Sequence, residues 1–424
     1  MDTFVIIGDR PLKGEVSAGG AKNAAFALMA ASLLTDKECE ISNLPLIEDI
    51  FRMLEILKSM GVKADWKGER TVILNAKGMD PSKIDEKKVS LFRGSVLLLG
   101  SLLARFGKVE MPKPGGCIIG ARPIDTHLDA FRQMGAEVGE GKKITITSKK
   151  KAGDALVILN EFSVTATENV LLFSALRKGK TTIKTADIDY QVQELVNFLK
   201  KMGVRIDGAG SHTLIVHGSE KLKGASQKLI FDPIEAGTFI LAAAATRSRI
   251  SVKNAEISFL ELPLKKLKDF GITFEISLEQ KGRGTVTIFP WKSLKIDKVQ
   301  SLPFPGIPSD LQSCFGVLAT RSKGPTLIHD PLYESRLKYL EELTKMGAEI
   351  YFADPHRAII NGPTQLFGAE IKSLDLRGGA SLILAGLMAK GKTTLGNVYQ
   401  IDRGYEKIDE KLRNLGADIK RIKE

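Results

Sequence analysis

The sequence is poor in cysteine and has no long apolar run. Its three cysteines, Cys39, Cys117 and Cys314, are far apart in the chain and form no CxxC pair. Neither a disulfide framework nor a zinc site is therefore indicated. The apolar stretches all fall short of the about 20 residues that a membrane-crossing helix needs, and the first residues lack the basic and apolar regions of a signal peptide. We expect a cytoplasmic protein that does not insert into membranes.

Positive charge exceeds negative charge across the 424 residues, which carry a formal net charge of +12 and a sequence pI near 9.3. An excess of this size suggests an acidic partner. The basic residues are dispersed, however, and the longest uninterrupted lysine run extends only from Lys149 to Lys151. Because no basic stripe is interleaved with aromatic residues, nucleic acid is disfavoured as a partner. An anionic small molecule or a well-solvated basic surface fits better.

One helix pattern recurs six times along the chain. In each copy an amphipathic helix ends in glycine, and a short β-rich run follows. The six glycines are spaced by about 70 residues and are Gly61, Gly135, Gly203, Gly271, Gly347 and Gly416. Glycine suits this place because a residue just past a helix end commonly adopts the left-handed conformation, which only glycine takes without penalty.

A second helix in each unit is apolar and rich in small residues, which predicts burial on nearly all sides. The six copies are NAAFALMAASLL, RGSVLLLGSLLARFG, TENVLLFSALRKG, AGTFILAAAATR, QSCFGVLATR and GASLILAGLMAKG. Short β-branched segments such as TVILNA, TLIVHG and AIING predict the strands of the same units. We predict an α/β fold built from six repeated βαβαββ-like units.

Length predicts about two domains, because 424 residues exceed the usual limit of one hydrophobic core. Six units then divide into three per domain. We place one domain, which carries the loop around Cys117, at residues 22–232 and the other at residues 1–21 and 233–424. In this arrangement the N-terminal strand, Thr3 to Gly8, closes the three-unit array of the second domain.

The segment from Gly386 to Thr393 satisfies the Walker A expression GxxxxGK[ST]. A true P-loop follows a strand and opens a helix, so that the helix N-terminus faces phosphate. Here the helix SLILAGLMAKG comes first and the strand TTLGNV follows. We interpret the segment as a structural turn and not as a nucleotide site.

Several polar residues are peculiar to single units and are therefore candidates for function. Lys22 and Asn23 open the first interior helix, and Arg93 lies at the matching place in the second unit. Each can face an anion at a helix N-terminus, and a solvated helix cap is the alternative. The other positions of this kind are Arg122, Asp310, Arg336, Asp375, Arg377 and Arg403. Converging guanidinium groups bind phosphate and carboxylate, so these arginines predict an anion site.

Cys117 lies in KPGGCIIGARPIDTH, between glycines that describe an exposed loop. Three roles are open for its thiol: a small core side chain, a redox sensor, or a catalytic thiol whose pKa is lowered by neighbouring cations. The glycines argue against a core position, and no other cysteine is nearby in the sequence to resolve a redox change. A catalytic thiol near Lys22, Arg93 or Arg122 fits best.

The segments AGGAKNAA, PGGCIIGARPIDTH, FPGIPSDLQ, LDLRGGASLILAG and IDRGYEKIDEKLRNLGA stand in this order along the chain. Together they resemble the UDP-N-acetylglucosamine 1-carboxyvinyltransferase family of enolpyruvyl transferases, whereas the related shikimate-pathway enzymes lack the cysteine loop. The resemblance implies a two-domain inside-out α/β barrel with the active site in the cleft between the domains. It also implies that no metal or other cofactor is needed.

The activity implied by the resemblance is transfer of the enolpyruvyl group of phosphoenolpyruvate to the 3-hydroxyl of UDP-N-acetylglucosamine, with release of phosphate. This reaction is the first committed step of peptidoglycan precursor synthesis, a cytoplasmic part of cell wall biogenesis on which cell shape, cell division and the cell cycle depend. We expect these two substrates to be the partners of a monomer.

The resemblance also assigns roles to residues. The expected catalytic residues are Cys117 as the thiol that adds to phosphoenolpyruvate and as general acid, Asp310 as the base near the sugar 3-hydroxyl, and Lys22 and Arg403. The residues expected to bind phosphoenolpyruvate are Lys22, Arg93, Arg122, Arg336, Arg377 and Arg403, with Asp375 in support. Those expected to bind the sugar nucleotide are Asn23, Arg122, Pro123, Asp125, His127, Ser163, Val164, Thr165 and Asp310.

Two places depart from the family pattern. The third unit reads TADIDYQVQEL, with Asp187 and Asp189 where the family usually has a proline-containing acidic stretch, and Thr165 stands where glycine is frequent. Both lie on the sugar-nucleotide side, so an enolpyruvyl transferase with a different acceptor is the first alternative. A catalytically silent UDP-sugar-binding paralogue is the second, and it is disfavoured because an acid, a base and a phosphate clasp are all retained.

Overall fold

The computed structural model describes residues 2–115, 120, 123–148, 153–279 and 282–423. They form two compact units: the C-terminal unit, with residues 2–19, 120 and 231–423, and the N-terminal unit, with residues 20–115 and 123–230. Cys117 and Arg122 lie outside the described residues. The predicted assignment of the cysteine loop to the domain at 22–232 therefore stays a prediction.

The described residues form 23 strands and 14 α-helices. The strands are β1 (Thr3–Ile7), β2 (Lys13–Ser17), β3 (Cys39–Ser42), β4 (Lys63–Trp66), β5 (Thr71–Asn75), β6 (Lys108–Pro112), β7 (Glu137–Glu140), β8 (Lys143–Thr147), β9 (Ala155–Ile158), β10 (Lys180–Lys184), β11 (Arg205–Asp207), β12 (Thr213–His217), β13 (Ser226–Lys228), β14 (Arg249–Glu256), β15 (Phe274–Leu278), β16 (Arg283–Ile288), β17 (Lys298–Gln300), β18 (Gly324–His329), β19 (Glu349–Asp354), β20 (Arg357–Gly362), β21 (Glu370–Lys372), β22 (Lys392–Gly396) and β23 (Asp418–Ile422).

The helices are α1 (Lys22–Ser32), α2 (Glu48–Ser59), α3 (Glu86–Leu91), α4 (Leu98–Phe106), α5 (Asp125–Gln133), α6 (Val164–Ser174), α7 (Tyr190–Met202), α8 (Pro233–Ala245), α9 (Glu261–Asp269), α10 (Ser309–Ala319), α11 (Tyr339–Lys345), α12 (Leu376–Met388), α13 (Tyr399–Asp402) and α14 (Ile408–Asn414). Short 3₁₀ helices lie at Pro81–Lys83, Arg93–Leu97, Ile257–Phe259 and Arg336–Lys338. In the described part of the chain, none of the helices is long and apolar enough to cross a membrane.

The same small sheet recurs through the chain. Five sheets have four strands, in the orders β13-β3-β5-β4, β11-β12-β10-β9, β15-β16-β14-β2, β17-β18-β20-β19 and β21-β22-β1-β23. Each contains one parallel pair and two antiparallel pairs. The sixth sheet, β6-β8-β7, has three antiparallel strands within the described residues. This recurrence confirms the prediction of six repeated units.

The N-terminal strand completes the last of these sheets. β1 pairs antiparallel with β22, where Phe4 faces Leu395, and antiparallel with β23, where Thr3 faces Ile422. The prediction that this strand closes the array of the second domain is confirmed. The sixth unit is therefore assembled from both ends of the chain.

The six apolar helices form the interior of the two units. They are α1, α4 and α6 in the N-terminal unit and α8, α10 and α12 in the C-terminal unit, and all 13 residues of α8 and of α12 are buried. Small residues permit this packing: a Cβ added to Gly100 of α4 would lie 2.5 Å from the backbone oxygen of Asn169 on α6. With helices inside and separate sheets around them, each unit has the predicted inside-out arrangement.

The helix-ending glycines behave as the repeat pattern predicts. All six have positive φ angles, between 82° and 104°. Each follows the outer helix of its unit, for example Gly203 after α7, where the residue has φ of 104° and donates from its backbone N–H to the last helical turn. The left-handed conformation ends the helix and turns the chain into the next strand.

The Walker-like segment is a turn, as predicted. α12 ends at Met388 before the glycine, Gly391 has φ of 91°, and β22 begins at Lys392. No helix N-terminus follows the glycine, so the arrangement that binds phosphate in a P-loop is missing from this described segment.

Candidate active site

Asp310 in the C-terminal unit accepts hydrogen bonds from two buried arginines, one through each carboxylate oxygen. Nη2 of Arg336 lies 3.0 Å from Oδ1, and Nε of Arg377 lies 2.8 Å from Oδ2. Both arginine side chains are 3% exposed, whereas the Asp310 side chain is 30% exposed. The carboxylate is therefore the reachable end of a charged group that is otherwise buried.

Local sequence places each of these groups at the N-terminal end of a helix. Asp310 is the second residue of α10, which starts directly after Pro308. Asp375 caps α12, because its Oδ1 accepts the backbone N–H groups of Arg377 at 2.9 Å and Gly378 at 3.0 Å. The cap fixes the first turn of α12 and with it the backbone that carries Arg377.

Each nitrogen atom of the Arg336 guanidinium contacts an oxygen atom of another side chain. Besides Asp310, it contacts Oδ1 of Asp375 from Nη1 at 3.4 Å and donates from Nε to Oγ of Ser309 at 2.9 Å. Ser309 in turn donates to Oδ2 of the fully buried Asp330 at 2.6 Å. Although burial alone lowers the pKa of Arg336, Asp310 and Asp375 raise it above its ordinary value. The guanidinium therefore keeps its charge inside the protein.

Arg403 lies in a separate segment of the same unit, just after α13. The residue is 7% exposed, and its Nη1 donates to Oε1 of Gln400 at 3.1 Å. Two positions later the hydroxyl of Tyr405 is 2.8 Å from Oγ1 of Thr238 on α8. The Tyr405 ring also lies 5.1 Å below the guanidinium carbon of Arg377, a distance at which the cation and the ring attract each other.

In the N-terminal unit, Lys22 is a buried cation at the start of a helix. It is the first residue of α1, and its Nζ lies 3.3 Å from Oδ2 of Asp49 and 5.8 Å from the ring centre of Phe26. The side chains of Lys22 and Asp49 are only 9% and 4% exposed. Ala21 at the N-cap supplies no side-chain hydrogen bond, so the positive helix end and the ammonium group reinforce each other.

Arg93 does not begin a full α-helix as Lys22 does. It opens the 3₁₀ turn that precedes α4, and its Nη2 donates to the backbone oxygen of Pro123 at 3.2 Å. Asn23, the second residue of α1, is half-buried, while Pro123 and Asp125 are exposed. Asn23 thus lies at a helix start as predicted, Arg93 does not, and Pro123 and Asp125 lie just before and at the start of α5.

His127 of α5 is buried and links to the start of α6. The side-chain oxygen of Asn169 accepts from the backbone N–H of Gly100 at 2.7 Å, so its amide nitrogen is the donor to Nδ1 of His127, 2.8 Å away. A neutral ring that accepts at Nδ1 carries its proton on Nε2. That nitrogen lies 3.1 Å from Oγ1 of Thr165 and donates to it. Burial, together with the charge of Arg93, lowers the pKa of His127 to about 3.

A side chain of the turn before α6 caps that helix. Ser163 is the N-cap, and its Oγ accepts from the backbone N–H of Ala166 at 3.4 Å. Ser163, Val164 and Thr165 are all half-buried. Thr165, at the position where the family frequently has glycine, thus accepts a hydrogen bond from His127 through its hydroxyl oxygen.

The other departure from the family pattern, at Asp187 and Asp189, places two carboxyls near the buried Glu168. Burial raises the pKa of Glu168 well above its ordinary value, and the charges of Asp187 and Asp189 raise it further. Burial also raises the pKa of Asp187. Asp189 caps α7 through the backbone N–H of Tyr190 at 2.7 Å. In the described residues no group of three or more His, Cys, Asp or Glu is arranged to hold a metal ion.

Sequence reasoning missed four residues of these clusters. Asp49, Asn169 and Ser309 contact predicted site residues, and Asp330 contacts Ser309, yet none of the four was singled out. In the sequence, Asp49 cannot be told from an ordinary acidic residue in the first turn of a helix. Asn169 had one available signal, because an amide inside the apolar helix TENVLLF has to be hydrogen-bonded when buried.

A family model described as EPSP synthase (3-phosphoshikimate 1-carboxyvinyltransferase) matches residues 6–412. The chain is similar to the UDP-N-acetylglucosamine 1-carboxyvinyltransferase of Campylobacter hominis, with 40% identity over 426 residues that cover 100% of both chains. The protein of the same name from Coxiella burnetii is 37% identical over 429 residues, which cover 100% of this chain and 96% of that relative.

Solved structures share the fold. The enolpyruvyl transferase NikO from Streptomyces tendae has a TM-score of 0.88 and 25% identity, over 99% of this chain and 98% of that one. EPSP synthase from Acinetobacter baumannii has a TM-score of 0.75 and 19% identity over 100% of both chains. The second likeness concerns the fold alone.

Proposed function

The chain belongs to the UDP-N-acetylglucosamine 1-carboxyvinyltransferase family of enolpyruvyl transferases, and from this premise we propose that it transfers the enolpyruvyl group of phosphoenolpyruvate to the 3-hydroxyl of UDP-N-acetylglucosamine. Phosphate is the second product. The proposal includes a cytoplasmic role in peptidoglycan precursor synthesis, and through it in cell shape and division.

The observation that carries the proposal is the arrangement around Asp310. A base for the sugar hydroxyl has to be reachable and held in one orientation. Its carboxylate meets both needs, since the buried Arg336 and Arg377 fix one oxygen each while 30% of the side chain stays exposed. A silent binding protein has no use for a carboxylate oriented in this way.

The proposed chemistry begins with addition. The 3-oxygen of the sugar bonds to C2 of phosphoenolpyruvate, its proton passes to Asp310, and a second proton, from Cys117, reaches the methylene carbon. The tetrahedral adduct then loses a proton from its new methyl group and expels phosphate, which restores the double bond. Cations that face the phosphate and carboxylate stabilise this adduct.

The proposed cations are the side chains of one lysine and three arginines. Lys22 and Arg403 are each 7% exposed, so an anionic group bound to either one would meet it with little intervening water. Arg93 and Arg122 complete this group in the proposal. Arg336 and Arg377 have a different main partner, because their hydrogen bonds to Asp310 make them holders of the base.

Phosphate release from phosphoenolpyruvate, measured with and without UDP-N-acetylglucosamine, tests the proposal. We expect release only when the acceptor is present, and we expect the Lys22→Met variant to lose it. Release that needs some other hydroxyl acceptor would assign the protein to the first alternative, a transferase with a changed acceptor. Absence of release with either acceptor would refute the proposal.

A further inference from the structure

Arg421 on the last strand holds the carboxylate of Asp402 with both of its terminal nitrogens. Nη1 lies 2.8 Å from Oδ2, and Nη2 lies 2.7 Å from Oδ1. The two side chains are 22% and 31% exposed, so the pair is partly shielded from water. Two parallel hydrogen bonds between a guanidinium and a carboxylate fix direction as well as distance.

The chain terminus strengthens this contact. Nη1 of Arg421 also lies 3.1 Å from Oδ2 of Asp2, and its guanidinium carbon is 4.8 Å from the ring centre of Phe4 on β1. The backbone oxygen of Asp2 accepts from the N–H of Val398, just before α13, at 3.3 Å. Residues from both ends of the chain thus contact the four-residue helix α13 or the residue just before it.

Asp402 is the last residue of α13, and Arg403 follows it directly. On the far side of Arg403, Tyr405 is buried and hydrogen-bonded to Thr238 at 2.8 Å. The backbone of Arg403 is therefore anchored one residue before it and two residues after it. The first of these anchors, Asp402, depends on the side chain of Arg421 on β23, 19 positions away.

We propose that Arg421 is a positioning residue for phosphoenolpyruvate binding: it acts through Asp402 to hold Arg403 where the anion is clasped. The inference rests on the proposed function, since it takes Arg403 as part of that clasp. Arg421 itself touches no substrate in this account. Its loss leaves the charge of Arg403 intact and changes only where that charge lies.

Steady-state kinetics and direct binding of phosphoenolpyruvate test the inference in full-length Arg421→Gln, Asp402→Asn and the double variant. We expect the KM and the dissociation constant for phosphoenolpyruvate to rise by about tenfold to 10²-fold in Arg421→Gln, since misplacing a group by about 1 Å can cost about 10²-fold. The dissociation constant for UDP-N-acetylglucosamine should stay unchanged. The double variant should match the single ones, because residues that act through one contact are not additive.

Arg357→Gln is the matched control, because Arg421 also contacts Asp409, the partner of Arg413. Arg357 pairs with a different carboxylate of the same unit, Asp354 at 2.7 Å, and among the described residues shares no partner with Arg421. We expect wild-type constants for it, and an intermediate effect for Arg421→Lys, which keeps the charge but not the two-point contact. Thermal melting serves to check that each variant is folded.

Unchanged phosphoenolpyruvate constants in a folded Arg421→Gln would overturn the inference, as would equal weakening for both substrates or additive effects in the double variant. A wild-type protein that binds phosphoenolpyruvate but does not turn over would instead refute the proposed function. In that case the binding measurements still decide the role of Arg421. A wild-type protein that neither binds phosphoenolpyruvate nor turns it over would overturn both the proposed function and the inference about Arg421.

Discussion

Nε of Arg377 donates to Oδ2 of Asp310 at 2.8 Å, although 67 positions separate the two residues in the sequence. The fifth repeat unit supplies the carboxylate at the start of α10, and the sixth supplies the guanidinium in the first turn of α12. Both are the starts of interior helices, which the repeat brings together inside one unit. The geometry around Asp310, the proposed base, is therefore a property of the repeated fold and not of one loop.

Replacement of Asp310 by asparagine should abolish most of the turnover. The amide keeps the shape of the side chain but takes no proton from the sugar hydroxyl, so we expect kcat to fall by about 10²- to 10⁴-fold. Acceptor-dependent phosphate release measures this fall. Asp354→Asn is the control, because Asp354 is a carboxylate paired with an arginine, Arg357, on an exposed hairpin. A fall of less than tenfold would remove Asp310 as the base.

Loss of Arg336 should be costly to stability. Arg336→Met leaves Asp310, Asp375 and Ser309 without the guanidinium that binds them. Breaking a buried ion pair on one side lowers the free energy of unfolding by about 3–5 kcal/mol. Urea denaturation of Arg336→Met and Arg357→Met compares the buried arginine with one that is 56% exposed. The exposed pair should cost much less, because water screens it, and equal losses would contradict the expected role of burial.

Alkylation of the native protein should detect one cysteine. Burial raises the pKa of Cys314 to about 12, and burial also raises the pKa of Cys39. Neither supplies much thiolate near neutral pH. We expect iodoacetamide, and an epoxide phosphonate analogue of phosphoenolpyruvate, to modify Cys117 alone. Mass spectrometry of the wild type and of Cys117→Ser checks this: labelling that persists in the variant would place the reactive thiol elsewhere.

A helix-ending glycine should tolerate alanine poorly even where space is available. Gly203 has φ of 104°, and nothing lies within 4 Å of a Cβ built there. The left-handed backbone alone should then cost about 1–2 kcal/mol of unfolding free energy in Gly203→Ala. Gly141→Ala, at another open glycine without a positive φ, is the control. Similar stabilities of the two variants would argue against a conformational requirement in the repeat.

The repeat and the interior helices could be predicted because their signals are local. A glycine after a helix and a run of small apolar residues are visible in a short window, and six copies reinforce each other. The missed contacts are between distant positions: Lys22 and Asp49 are 27 residues apart, and His127 and Asn169 are 42 apart. Partners of this kind are ordinary polar residues until the fold brings them together.

The pairing of Arg421 with Asp402 shows the same limit. In the sequence, Arg421 belongs to a basic C-terminal strand, ADIKRIKE, that is typical of a solvated edge. Only the insertion of β1 between β22 and β23 creates its surroundings. Closure of the array by the N-terminal strand was predicted, but the side-chain contacts that follow from that closure were not.

His127 should make the folded state sensitive to mild acid. Its pKa in the folded protein is about 3, because burial and the charge of Arg93 lower it, whereas histidine in an unfolded chain titrates near pH 6.5. Between these two values the unfolded state binds a proton that the folded state does not. The contribution of His127 to stability is therefore complete above about pH 6.5 and decreases as the pH falls toward 3.

His127→Gln removes this titration and retains a polar side chain for Asn169 and Thr165. From pH 7.5 to pH 4.5 we expect the wild type to lose about 2–3 kcal/mol more unfolding free energy than the variant. Urea denaturation at the two pH values measures the difference. Nitrogen chemical shifts of the ring should also show a neutral imidazole protonated on Nε2 at pH 5, as its hydrogen bonds to Asn169 and Thr165 require. Equal losses in both proteins, or a charged ring at pH 5, would contradict the buried neutral state.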